Sequence, residues 1–112
     1  MLLGDLSPDE RVALGGLLRL MLRSDGQFSE AEEATLERIG TRLGGDAGSL
    51  WKVISQSAQQ CPENEQIRSA AKAVQRAEAR KLIRSLLEEV AASDAVSAPE
   101  SELLAWLQSA WA

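Results

Sequence analysis

Four carboxylates in this chain repeat a spacing that could do chemistry: Asp25 with Glu32, and Asp94 with Glu100. Each pair belongs to a short acidic turn, Asp25-Gly26-Gln27-Phe28-Ser29-x-x-Glu32 and Asp94-Ala95-Val96-Ser97-x-x-Glu100, and each turn follows an apolar run. If the two turns met, the carboxylates would repel one another, and a hard cation with oxygen ligands would relieve that repulsion. Such a donor set suits Ca²⁺, Mg²⁺ or Mn²⁺ rather than zinc. An EF-hand is excluded, because its loop spreads its ligands over about twelve residues. A purely local reading competes with the cation site. Glu32 and Glu100 are the third-position members of helix capping boxes, and Asp25 and Asp94 lie near helix starts, where negative charge is favoured by ~0.3–1 kcal/mol.

Other chemistry finds little support. The chain has no His, which removes Ser/His/Asp and Cys/His catalysis together with the commonest zinc ligand. No phosphate-cradling glycine loop follows a strand pattern, so the chain reads as non-enzymatic. The lone Cys61 cannot close an internal disulfide; on the apolar face of a helix and just before Pro62, it reads as a buried structural thiol. Lys72, Arg76, Arg80 and Arg84 recur at every fourth position and form a basic stripe along a helix. The stripe could dock an acidic partner or a membrane surface. As a solvated face, with Arg84 and Glu88 paired along the helix, it predicts effects within about 0.5 kcal/mol for substitution of Arg76 or Arg80. Among the tryptophans, Trp111 continues an apolar stripe and reads as core. Trp51 and Trp106 lean off their apolar faces, which predicts that one of them is exposed.

The elements that must position these residues are all helical. Ser7-Pro8-Asp9-Glu10 is a helix start, with Ser7 as cap, Pro8 in the first turn and Glu10 closing a capping box. The helix it opens should run to about Arg23 and bury Leu14, Leu17, Leu18 and Met21. Gly15-Gly16 inside it costs ~1 kcal/mol per glycine relative to alanine, which predicts a close neighbour at that point. A second helix, capped by Ser29, should bury Leu36, Ile39 and Leu43 and stop at Gly44-Gly45. A third, capped by Asp46 or Ser49, carries Leu50, Val53, Ile54, Ser57, Ala58 and Cys61 on one face. From Glu63 to Ser93 the sequence favours helix throughout. Two helices with a break between Val74 and Ala79, or one bent helix, both fit. Their inward residues are Ile67, Ala70, Ala71 and Val74, then Leu82, Ile83, Leu86, Leu87 and Val90. A last helix from Ser97-Ala98-Pro99-Glu100 carries Leu103, Leu104, Leu107 and Trp111. No stretch alternates with a period of two over a strand length, so the fold class is all-α.

The stretch Leu17–Ile39 and the stretch Leu86–Leu107 are near-copies. Leu17-Leu18 corresponds to Leu86-Leu87, Met21 to Val90, Leu36 to Leu104 and Ile39 to Leu107. Two copies far apart suggest a pseudo-symmetric single domain over residues 1–112 rather than a solenoid. That length suffices for one core, and 45% hydrophobic with 26% charged residues is ordinary for a soluble globule. The net charge of −5 argues against nucleic acid as the main partner and favours cations or basic protein surfaces. There is no signal-peptide pattern at the N-terminus and no apolar run long enough to span a bilayer. The expectation is therefore a cytoplasmic protein with no stable membrane insertion.

The two acidic turns, each following an apolar helix, carry a resemblance. The chain resembles a TerB-like domain, of the family named for tellurite-resistance proteins, whose pattern of helix, Asp-Gly-x-Val-Ser-x-x-Glu and helix occurs twice. The resemblance covers nearly the whole chain. It implies a bundle of about six or seven helices with the acidic turns together, a link to stress responses, and a divalent-metal site at Asp25, Glu32, Asp94 and Glu100. Three departures weaken that site. Ala95 replaces the family's glycine, the second turn is one residue short, and Gln27 stands where an acidic residue is common. The expected functions are a weak divalent-cation module, or a protein–protein interaction module whose acidic turns are only caps.

Overall fold

Leu14, Leu17, Leu18 and Met21 have no solvent exposure in the computed structural model, which describes residues 3–24, 30–45, 48–60, 63–92 and 98–111. They lie on α1 (Pro8–Ser24), which follows a 3₁₀ turn at Leu3–Asp5. After it come α2 (Glu30–Arg42), α3 (Ser49–Gln60), α4 (Asn64–Ala73), α5 (Ala77–Ala92) and α6 (Ala98–Ala110). Among the described residues there is no strand, and the fold is an all-α bundle. The Cα radius of gyration, 12.6 Å, is near the ~13 Å expected of one closed body of this length, which fits a single shared core.

The starts of α1 and α4 are fixed by side chains. Glu10 accepts from the Ser7 N–H at 2.7 Å while the Glu10 N–H donates to Ser7 Oγ at 3.2 Å, the reciprocal box read from the sequence. Glu63 and Gln66 close a second box at α4, where the Glu63 N–H donates to Gln66 Oε1 at 3.1 Å. α2 ends in a turn where Gly44 takes φ 87°, a conformation that costs glycine little. The break in the long helix-favouring stretch falls at Val74–Arg76 and leaves two helices. The Val74 N–H bonds back to the Ala71 carbonyl at 3.2 Å and closes α4.

α1 is the hub and packs on α3, α4, α5 and α6. Its glycines allow a close approach of α3 and α4. A Cβ on Gly15 would fall within contact distance of the Val53 carbonyl, and one on Gly16 would stand 2.9 Å from the Ile67 side chain. The helix-propensity cost at this pair is therefore offset by close packing against the α3 backbone at Val53 and the Ile67 side chain of α4. The two near-copies interlock, because α2 packs on α5 and α6 packs on α1. Each copy's second helix thus rests on the first helix of the other, and Leu17, Leu18, Leu86 and Leu87 are buried at the junction. Arg42 fastens α2 to α5 from outside, donating to both oxygens of Glu89 at 3.0 and 2.6 Å.

Some sequence expectations need correction. On α3 the buried side is narrower than expected. Leu50, Val53 and Ser57 are inside, Ile54 is half-buried and Ala58 is exposed, because α3 turns its Val53–Ser57 side to the two glycines of α1. Trp111 is half-buried rather than core, and its indole N–H donates to the Ala71 carbonyl at 2.8 Å. Trp51 and Trp106 are both half-buried, so neither stands free of the surface. Cys61, Pro62 and Asp46 lie outside the described residues.

Candidate functional site

Of the four carboxylates, Glu32 and Glu100 are described, and Asp25 and Asp94 lie outside the described residues. Glu32 is the third residue of α2 and Glu100 the third of α6. They are 3% and 2% exposed, so both have left bulk water, and both are engaged in interactions. A carboxylate this deep keeps its charge only where dipoles or cations compensate it, and a helix N-terminus supplies both N–H donors and a favourable dipole. Among the described residues, no group of three or more Asp, Glu or Cys side chains is placed to hold a metal ion. As donors, Glu32 and Glu100 offer oxygen alone, which fits a hard divalent cation and no softer metal.

A third glutamate shares this position. Glu10 is the third residue of α1 and is 5% exposed. Besides the Ser7 N–H, its carboxylate accepts from Arg76. Nε reaches Oε2 at 2.9 Å and Nη2 reaches Oε1 at 2.5 Å, while Nη2 also donates to the Asp5 carbonyl at 2.8 Å. Arg76 is exposed over about half of its side chain, as the basic-stripe reading expects, yet its guanidinium clasps the start of α1. The expectation that Arg76 is energetically silent is therefore corrected. The break at Val74–Arg76 takes it off the continuing helix and turns it back across the chain. Arg80 is corrected likewise. It is half-buried, its Nε donates to the Val74 carbonyl at 2.6 Å, and its guanidinium lies 6.0 Å from the Trp111 ring centre. Arg84 does pair with Glu88, at 3.1 Å.

The Arg76 hydrogen bonds hold the Glu10 carboxyl at about 2, below its ordinary 4.5, against the opposing effect of burial and with further help from Ser7. A carboxyl whose folded-state value is depressed adds stability above the unfolded value and loses it as the pH falls through the folded one. The stability difference between wild type and Glu10→Gln should accordingly be full at neutral pH, shrink below about 4.5 and vanish near 2. Its neutral-pH size should be about 1–2 kcal/mol, with the solvent-facing side of Arg76 screening the pair. Urea denaturation of both proteins across that pH range measures it.

The site that sequence reasoning undervalued is the outer face of α5. Ala77, Arg80, Lys81, Arg84, Ser85, Glu88 and Trp111 line an open depression of about 430 Å³. A sequence signal for it exists: residues 68–84 hold six Lys or Arg and one acidic residue, in a chain whose net charge is −5. Trp111 joins the face only because α6 returns its end to α4, a contact that no local pattern announces. On the neighbouring face, Arg68 lies 5.4 Å from the Trp106 ring centre. Among the described residues no helix is long and apolar enough to cross a membrane. The chain matches no protein-family model, no curated protein and no solved structure.

Proposed function

We propose that this chain is a non-enzymatic, TerB-like interaction module of the cytoplasm, serving a stress-related role, in which the acidic turns act as helix caps. Glu10 carries the reading. It holds the same third position as Glu32 and Glu100 and is comparably buried, and its carboxylate is used by a capping N–H and an arginine. At Glu10 a capping N–H together with the Arg76 guanidinium accounts for deep burial of a glutamate at a helix start without any ligand. Function on this reading lies on the surface, where the cationic and aromatic face of α5 is the most distinctive feature.

A second reading, a weak divalent-cation module at Asp25, Glu32, Asp94 and Glu100, is favoured by the equivalent placement and burial of Glu32 and Glu100 in the two near-copies. Calorimetric titration with Ca²⁺, Mg²⁺ and Mn²⁺ separates the two. If the turns are caps, wild type and an Asp25→Asn/Asp94→Asn double variant give indistinguishable traces. A binding isotherm present in wild type, stronger at neutral than at acid pH and lost in the double variant, would overturn the proposal in favour of the cation module.

A further inference from the structure

The geometry points to the outer face of α5 as the docking site for a short acidic segment of a partner protein, an inference that rests on the interaction-module reading. Two open depressions meet on this face and share Lys81 and Ser85. The one of about 430 Å³ adds Arg80, Arg84 and Trp111, and the one of about 350 Å³ adds Leu82. Arg80, Lys81 and Arg84 thus line one depression with the half-buried Trp111, and Lys81 also lines the second beside the half-buried Leu82, a combination that suits carboxylates flanking an apolar anchor.

Part of the face is held in place before any partner arrives. Arg80 is fixed through Nε by the Val74 carbonyl and lies over Trp111, which is itself fixed by the Ala71 carbonyl. The Nη donors of Arg80 make no hydrogen bond among the described residues and suit a carboxylate. Lys81 makes no ion pair among the described residues. Among the described residues Arg84 is held only by Glu88, and both are exposed, so an incoming carboxylate can replace Glu88 at little cost. Arg80 and Trp111 therefore need little ordering on binding.

Charge distribution selects the size and kind of partner. The cations form an island in an acidic chain, so a long polyanion such as nucleic acid meets repulsion beyond the island, and a short acidic segment does not. Trp111 is half-buried and hydrogen-bonded to α4, so it does not project as membrane-inserting aromatics do.

Fluorescence anisotropy on the full chain tests this, with a short fluorescein-labelled peptide of Glu and Asp residues around one leucine as probe. Wild type should bind it, more weakly as salt is raised. Lys81→Glu/Arg84→Glu should weaken binding by about tenfold or more. Glu88→Gln, which removes the internal competitor for Arg84, should tighten it. Arg38→Glu, on the exposed face of α2, should change nothing. The proposal is overturned if the double reversal keeps its helical circular dichroism and wild-type affinity, or if Arg38→Glu loses as much. Should the double reversal fail to fold, unchanged affinity in Glu88→Gln together with salt-independent binding overturns it as well. Sedimentation with phosphatidylserine vesicles in the absence of peptide binding would reassign the face to lipid. The metal titration stands apart from all of these. Failure of the peptide alone removes the acidic partner and leaves the module reading, whereas a cation isotherm lost in the Asp25→Asn/Asp94→Asn variant removes the module reading itself.

Discussion

Leu86→Ala should destabilise the fold by about 2–5 kcal/mol. Leu86 is 1% exposed and lies on α5, which packs against α1, α2 and α6. Truncation removes the transfer free energy of the lost carbons and leaves a cavity. The surrounding helices relax into such a cavity only in part, because α1 is held on its other side by backbone-level contact with α3. A domain of this size has about 5–15 kcal/mol in total, so the variant would sit near the edge of folding at physiological temperature. Each kcal/mol lost should lower Tm by roughly 4 °C. Chemical denaturation monitored by circular dichroism is the measurement. A loss below about 1 kcal/mol would mean that α5 is not part of the central layer.

The second large effect is expected at Gly15. In an isolated helix, Gly15→Ala would be stabilising by ~1 kcal/mol. Here the added methyl group meets the Val53 carbonyl, which is backbone and cannot rotate away, and the Val53 carbonyl carbon would stand 2.9 Å from it. α1 and α3 must move apart along their closest line of contact, and Leu50, Val53 and Ser57 lose packing together. The net result should be a loss of about 1–3 kcal/mol, opposite in sign to the helix-propensity expectation. Gly4→Ala is the reference, since nothing lies within 4 Å of a Cβ built there. It should stay within about 0.5 kcal/mol of wild type. A stabilised Gly15→Ala protein would show that the close α1–α3 approach is wrong.

What the sequence determined by itself is the set of features that depend on neighbours within a turn or two of helix. Apolar spacing on α1 and α5 marked Leu14, Leu17, Leu18, Met21, Leu82, Ile83, Leu86, Leu87 and Val90, and all are buried except Leu82, which is half-buried. Ser7 and Glu10 announced the start of α1, and Gly44 the end of α2, because caps and positive φ are local requirements. The glycine pair was legible as a sign of close packing, since an uncompensated helix-breaking cost inside a hub helix needs a reason. The sequence did not say which helices would use it. Only the tertiary structure decided the partners of the charged and aromatic groups. The chain places Arg76 on a polar stripe, and the fold brings it across sixty-six positions to Glu10. Trp111 crosses forty positions to Ala71, and Arg42 forty-seven to Glu89. Periodicity fixes the face on which a side chain emerges, but which surface comes to meet that face is set by how α1 gathers four other helices around itself, α3 and α4 of them at its glycines, and that is a property of the assembled core.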